Sequence, residues 1–225
     1  PAVSYKSADG RFHPETFEFQ VTGGKSQFGL TFDPYGRRFG SSNRHPVMHT
    51  VMDPWYLKRN PNLLFNESVQ NVSKTEADAV VYPISHSITS ADFIPKLIGR
   101  SHAGTFTAAS GLLAFNGTAL TPAHQGNIFI CESAQNLVQR QIVNPEGVSF
   151  RSKIPYEGRE FLSSTDEWFR PVFLQHGPEG ALYLADMHRK VIDHPSYVPA
   201  EARPGLDWES GKTDGRIYRI VRKDF

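Results

Sequence analysis

Apolar and polar positions alternate over short stretches along most of the chain, and turns rich in glycine and proline separate these stretches. One example is "ALYLA" at 181–185, which follows the turn "GPEG" at 177–180 and runs directly into Asp186. Alternation with a period of two predicts half-buried β-strands. Helical periodicity is confined to segments near residues 55 and 200, and prolines interrupt both. The pattern therefore predicts an all-β protein of short antiparallel strands with long decorated loops.

An internal repeat connects two distant parts of the chain, "GLTFDPYGRRFGSSNRH" (29–45) and "FLQHGPEGALYLADMHR" (173–189). Both place an apolar residue second, a proline sixth, a glycine eighth and an aromatic residue three positions later. The core of this pattern recurs in "GNIF" from Gly126 and in "GRIY" from Gly215. A glycine at this position suits a turn that requires positive φ before a strand. Repeated hairpins with units of about 40–50 residues predict the four-stranded blades of a β-propeller.

Each long copy of the repeat ends in a polar cluster that contains histidine and arginine. The first copy ends at Arg44 and His45, and the second ends at Asp186, His188 and Arg189. In a propeller the innermost strand of each blade runs along the central channel. If the strands that precede the two clusters, "RRFGSS" and "ALYLA", are the innermost strands of their blades, both clusters lie at the mouth of the channel. We therefore expect the two clusters to converge on one axial opening. The alternative is that these side chains are ordinary loop residues that form turns and salt bridges.

Six segments in chain order carry a resemblance to a known family: "FGLTFDPYGRRFGSSNRHP", "SHAGTFTAASGLLAFNG", "GNIFICESAQNLVQRQIVNPEGVSF", "REFLSSTDEWFRPV", "GPEGALYLADMHRKVIDHP" and "GRIYRIV". The chain resembles the membrane-bound dehydrogenases of planctomycetes and verrucomicrobia, a haem-binding family with a Cys-x-x-Cys-His motif. The resemblance implies that residues 1–225 are the C-terminal portion of a single β-propeller domain, with about three to four blades. We expect this partial ring to be closed by the remaining propeller segment or by another chain.

The propeller of that family in turn resembles soluble quinoprotein sugar dehydrogenases. Those enzymes hold pyrroloquinoline quinone with arginines, a lysine and a calcium ion, and they use a catalytic histidine. In "DEWFRPVFLQHGPEG" Arg170 matches the second cofactor arginine, but Trp168 stands where the first belongs, and the stretch after "NIFICES" supplies no lysine. The resemblance implies quinone and calcium as cofactors, while the sequence departs from the quinone pattern at both other positions compared. With one cysteine, Cys131, and no Cys-x-x-Cys-His motif, any covalent haem belongs to another segment.

The candidate site residues are the histidine, arginine and aspartate side chains expected at the axial mouth. An imidazole titrates near neutral pH and can act as a general base, and the catalytic candidates are His45, His102 and Asp186. A guanidinium suits bidentate contacts with carboxylate, phosphate or quinone oxygens, and the ligand-binding candidates are Arg44, Arg100, Arg170, His188 and Arg189. Asp186 can orient an imidazole or bind calcium, or it can simply pair with Arg189. We expect no structural zinc site, because Cys131 is alone and the histidine spacing is poor.

Composition narrows the choice of partners and function. Lys and Arg total 24 against 23 for Asp and Glu, so net charge gives no reason to expect a nucleic-acid partner. The resemblance implies a periplasmic or cell-envelope protein that oxidises a sugar or polyol and passes electrons to a c-type cytochrome module. One alternative is a non-catalytic propeller that binds a glycan or partner protein at its axial mouth. Another is a hydrolase or lyase that uses histidine and aspartate.

Overall fold

The structure is a computed structural model and describes residues 8–65, 67–87, 104–201 and 203–225. Over these residues the secondary structure is almost entirely β, with fourteen strands and one short helix, α1 (Pro54–Leu57). The strands form four antiparallel sheets. This arrangement confirms the prediction of an all-β, propeller-like fold. None of the helices in these ranges is long and apolar enough to cross a membrane.

The first sheet is a hairpin, and the other three sheets are successive blades. The hairpin consists of β1 (Asp9–Phe12) and β2 (Phe19–Gly23). The first blade contains β3 (Gly29–Phe32), β4 (Arg38–Ser42), β5 (His45–Thr50) and β6 (Val69–Asn71). The second blade contains β7 (Ala109–Ala114), β8 (Ile128–Glu132), β9 (Leu137–Glu146), β10 (Ser149–Lys153) and β11 (Leu162–Ser163), which pairs with β9. The third blade contains β12 (Pro171–His176), β13 (Leu182–Asp186) and β14 (Arg216–Ile220).

The sequence repeat corresponds to the first hairpin of each blade. Gly36, Gly126 and Gly180 lie just before the second strands and have φ angles of +75°, +70° and +84°. Glycine adopts this left-handed conformation without a steric penalty, because it has no Cβ. Gly215 directly precedes β14. The prediction that each glycine lies in a turn of positive φ leading into a strand is confirmed for Gly36, Gly126 and Gly180, whereas Gly215 leads into a strand without a positive φ.

The first strand of each blade approaches the neighbouring blade most closely. A Cβ on Gly29 in β3 would lie 3.0 Å from the backbone nitrogen of Leu112 in β7, and one on Gly111 would lie 2.6 Å from the Cα of Phe173 in β12. Strands β3, β7 and β12 therefore form the inner row. The expectation that 181–185 is an innermost strand is wrong, because β13 lies between β12 and β14 in its sheet.

Apolar side chains fill the space on both faces of the second blade. Successive residues of a strand point to opposite faces, so Leu112 and Ile130 join a core shared with the first blade, whereas Leu113 and Cys131 join a core shared with the third. All of β8 is buried. The interpretation of Cys131 as a buried small hydrophobe is confirmed, and burial raises the pKa of its thiol well above the ordinary value.

Candidate functional site at the loop face

In each blade the first strand begins, and the second strand ends, at the same end of the sheet. In the three blades these ends lie next to one another. Hydrogen bonds join the blades there: the backbone nitrogen of Ala109 donates to the carbonyl oxygen of Asn43 at 3.0 Å, and Ser133 Oγ donates to that of Pro171 at 2.5 Å. This end is called the loop face below. It comprises residues 42–45, 132–136, 166–170 and 186–190.

Arg170 lies buried in the loop face, with 3% of its surface exposed. Its guanidinium donates at 2.6–3.2 Å to four backbone carbonyl oxygens, those of Ser133, Ala134, Arg189 and Lys190. A guanidinium carries five N–H donors, so most of its hydrogen-bonding capacity joins the loops of the second and third blades. Burial lowers the pKa of Arg170 from its ordinary value, and neighbouring carboxylates, Asp193 first among them, oppose that shift.

Asp186 and His188 form a buried carboxylate–imidazole pair. Asp186 Oδ1 accepts hydrogen bonds at 2.7 Å from the backbone nitrogens of Arg170 and His188. Asp186 Oδ2 lies 3.6 Å from His188 Nδ1, and both atoms are buried without a hydrogen-bond partner in the described part of the chain. His188 has a φ of +48°, a left-handed conformation that directs its backbone nitrogen at Asp186. One carboxylate oxygen thus fixes the backbone, and the other faces the imidazole.

An aromatic side chain and a second arginine lie beside this pair. The indole of Trp168 is tilted against the imidazole of His188, with 5.6 Å between ring centroids. Arg189 donates to the backbone oxygen of Trp208 at 2.7 Å, while its Nε is buried and has no partner among the described residues. An imidazole that faces a carboxylate can accept a proton, and an indole offers a flat apolar surface to a sugar ring. The arrangement therefore suits a hydroxylated ligand.

The two candidates in the first blade lie where the turn after β4 leads into β5, with Arg44 in the turn and His45 as the first residue of β5. Arg44 Nη2 lies 3.6 Å from Glu76 Oε2, and His45 Nδ1 is buried without a hydrogen-bond partner in the described ranges. Both residues share the loop face with Asp186, but the loops of the second blade lie between the two groups. The structure brings together Arg170, Asp186, His188 and Arg189. Arg100 and His102 lie outside the described residues, and the roles assigned to all eight candidates stay predictions.

Comparison with known proteins places the chain in a family. A family model described as a domain of unknown function (DUF7133) matches residues 2–224. The chain belongs to the DUF7133 family. Among solved structures it is similar to a glucose dehydrogenase, with 17% sequence identity and a TM-score of 0.35; the match covers 74% of this chain and 38% of that one. The DUF7133 chain thus spans less than half the length of that structure. No curated protein sequence matches it.

The residues of this DUF7133 domain do not fit the quinone and calcium site that the resemblance implies. Arg170, the one matching arginine, already donates to four carbonyl oxygens. Asp186 already accepts two backbone hydrogen bonds. The described ranges also hold no group of three His, Cys, Asp or Glu side chains that could bind a metal ion.

Glu132 is a strand-end carboxylate in the second blade that the motif search missed. It lies six residues after Gly126, just as Asp186 lies six residues after Gly180. Its carboxylate accepts hydrogen bonds at 3.0–3.2 Å from three backbone nitrogens, those of Thr107, Ala108 and Ala134. Burial raises its pKa to about 7, against the opposing effect of these hydrogen bonds. Extending the glycine–aromatic alignment by three residues would have revealed this position.

Asn136 is a second buried group of the loop face that sequence inspection missed. Its Oδ1 accepts hydrogen bonds from the hydroxyls of Ser85 and Ser87, and its Nδ2 donates to the carbonyl oxygens of Phe169 and Glu167. The backbone of Asn136 has a φ of +59°, which asparagine tolerates better than most residues. Asn136 therefore connects three segments that are distant in sequence.

Proposed function

We propose that this DUF7133 domain binds a sugar or polyol at the loop face, in contact with Trp168 and His188. The observation that carries the proposal is the buried Asp186–His188 pair beside the indole of Trp168. Buried polar side chains are rarely left without hydrogen bonds unless they have a role. Asp186 Oδ2 faces Nδ1 of the imidazole at 3.6 Å, which leaves Nε2 for a ligand hydroxyl. Trp168 supplies the apolar contact that a sugar ring prefers.

A second function, oxidation of the bound sugar or polyol, is favoured by the same pair. Oxidation of an alcohol requires loss of the hydroxyl proton, and a positioned imidazole is a suitable general base. In this proposal His188 accepts the proton, and Asp186 stabilises the resulting imidazolium. The hydride would pass to an organic two-electron acceptor, of the quinone or flavin class, held by another part of the protein. The reduced acceptor would then give its electrons one at a time to a c-type cytochrome module in the periplasm or cell envelope.

Non-catalytic binding is the simpler of the two functions, and the environment of Arg170 favours it. The guanidinium is occupied by backbone carbonyl oxygens, so the group best suited to an anionic cofactor has a structural role. The remaining propeller segment or another chain, proposed to close the ring, would complete the wall of the binding site.

Calorimetric titration of the full-length protein with glucose, mannitol and cellobiose tests the binding proposal. We expect saturable binding that Trp168→Ala and His188→Ala each weaken by about tenfold. Tyr35→Ala is the matched control, because Tyr35 is an exposed aromatic residue in the turn at the opposite end of the first blade. Absence of binding by all three compounds, or equal weakening by the control, would contradict the proposal. Reduction of cytochrome c by the same compounds separates oxidation from binding alone.

A further inference from the structure

A cleft of about 280 Å³ lies between the first and second blades and shares no lining residue with the loop face. The segment after β6 forms one wall, and β9 and β10 form the other. The polar side chains that line the cleft include Lys74, Asp78, Gln139, Gln141, Ser152 and Lys153. Its volume lies just below the roughly 300–1,000 Å³ typical of drug-sized ligand pockets. The cleft therefore accommodates a ligand of about monosaccharide size.

Two buried glutamine side chains on the same face of β9 line this cleft. Gln139 Nε2 donates at 3.0 Å to the carbonyl oxygen of Val80 and to Glu160 Oε1. The Val80 carbonyl oxygen and Glu160 Oε1 are both acceptors, so the side-chain atom of Gln139 that contacts them must be the amide nitrogen and the other must be the amide oxygen. Its Oε1 then accepts from Gln141 Nε2 at 2.8 Å, and Gln141 Oε1 accepts from Ser152 Oγ at 2.7 Å.

This network leaves hydrogen-bonding capacity at the cleft. An amide nitrogen has two donors and an amide oxygen has two lone pairs. Within the described contacts Gln139 uses both donors, but Gln141 uses only one, and each amide oxygen accepts only one bond. Gln139 is completely buried, whereas Gln141 keeps a small exposed surface. The capacity within reach of a ligand is therefore one N–H donor and one lone pair of Gln141. Hydroxyl groups match this combination, because they both donate and accept.

Positive charge exceeds negative charge along the lining. Lys74 and Lys153 are exposed at the cleft, and neither has a carboxylate within ion-pair distance in the part of the chain that the structure describes. Asp78 is the single carboxylate of the lining, and it pairs with neither lysine. Two ammonium groups that lack partners favour an anionic group on the ligand.

We propose that this cleft binds a sugar acid, a hydroxylated carboxylate of monosaccharide size. The ligand carboxylate accepts hydrogen bonds from Lys74 and Lys153 at the open side. Its hydroxyls donate to the free lone pair of Gln141 and accept from the free N–H of Gln141, while Gln139 fixes the orientation of the Gln141 amide. This site is independent of the loop face, so its occupancy does not depend on Trp168 or His188.

Calorimetric titration of the full-length protein with D-glucuronate, D-glucose and inorganic phosphate tests the proposal. We expect saturable glucuronate binding. In the Trp168→Ala protein, whose loop face is impaired, binding of glucose and of phosphate should be at least about tenfold weaker than binding of glucuronate, since each lacks one half of the recognised chemistry. Lys74→Gln and Lys153→Gln should each weaken glucuronate binding by about tenfold. Both changes are at exposed positions and leave the buried network intact.

Two control variants assign the binding to the cleft. Lys223→Gln removes the same charge from an exposed lysine outside the lining, and Trp168→Ala alters the loop face; both should leave glucuronate affinity unchanged. The proposal is overturned by absence of saturable glucuronate binding, or by glucose or phosphate binding to the Trp168→Ala protein as tightly as glucuronate does. It is also overturned if Lys153→Gln has no effect, or if Lys223→Gln has the same effect. Loss of affinity in Trp168→Ala would move the site to the loop face and overturn the assignment.

Discussion

Glu132 and Asp186 occupy equivalent positions in two successive blades and make equivalent contacts. Each ends the second strand of its blade. Each accepts a hydrogen bond from the backbone nitrogen of the residue that precedes the first strand, Ala108 in one blade and Arg170 in the other. Each also accepts one from the residue two positions further along the chain. The repeated carboxylate thus closes the first hairpin of the second and third blades at the loop face, whereas β4 of the first blade ends in Ser42.

Replacement of Glu132 by glutamine should destabilise the fold even though the two side chains have the same shape. Both carboxylate oxygens accept hydrogen bonds, Oε2 from Thr107 and Ala108 and Oε1 from Ala134. An amide nitrogen in either place would face a backbone donor and leave it unsatisfied, at a cost of about 1–3 kcal/mol. Denaturant unfolding measures the loss. An unchanged free energy of unfolding would contradict the role of the carboxylate.

Glu160→Gln is the matched comparison, and we expect it to be tolerated. Glu160 Oε1 accepts both hydrogen bonds, from the backbone nitrogen of Tyr82 and from Gln139, whereas Oε2 has no partner in the described part of the chain. A glutamine can therefore keep its oxygen at the Oε1 position. At neutral pH its free energy of unfolding should be equal to or higher than that of the parent protein.

Glu160 should also make the stability of the protein depend on pH. Burial raises its pKa from 4.5 to about 7, so the folded protein keeps a proton that the unfolded chain loses. The resulting stability is fully present below about pH 4.5 and is lost as pH rises to about 7, by an amount on the order of 1–3 kcal/mol. Unfolding measured from pH 4 to pH 8 should show this decline, and Glu160→Gln should reduce its slope. Glu132, whose pKa is also raised to about 7 by burial, supplies the part of the decline that remains. An equal slope in the variant would contradict the assignment.

Arg170→Lys should be nearly as destabilising as Arg170→Ala. The guanidinium reaches carbonyl oxygens in two blades, and a lysine has three donors on one atom that cannot match this fork. Leaving buried carbonyl groups unsatisfied should cost about 3 kcal/mol in both variants. Arg44→Lys is the control, because Arg44 is half-exposed and its ion pair is long, at 3.6 Å. Thermal unfolding distinguishes these cases; a stable Arg170→Lys protein would instead indicate a ligand-binding role.

The repeat allowed most of the fold to be predicted, because glycine conformation and strand alternation are local properties. The strand order was mispredicted, since β13 lies in the middle of its sheet and only contacts between blades, such as Gly111 against Phe173, identify the inner row. The grouping of Asp186 with His188 follows from their spacing along the chain. The structural use of Arg170 could not be predicted, because its partners are backbone carbonyl oxygens, which no side-chain motif encodes.

Asn136 should tolerate glycine better than alanine, although alanine is the larger side chain. Both variants lose the hydrogen bonds that the amide makes with Ser85, Ser87, Phe169 and the loop around it. Alanine must in addition adopt the φ of +59°, which costs an L-residue with a Cβ roughly 1–2 kcal/mol more than glycine. Denaturant unfolding should therefore rank the parent protein above Asn136→Gly, and Asn136→Gly above Asn136→Ala. Asn136→Asp keeps an acceptor for the two serines but loses the donor to Phe169. It therefore separates the contribution of the side-chain oxygen from that of the side-chain nitrogen.

If alanine and glycine prove equally destabilising, the left-handed conformation of this residue does not contribute, and the hydrogen bonds alone account for its effect.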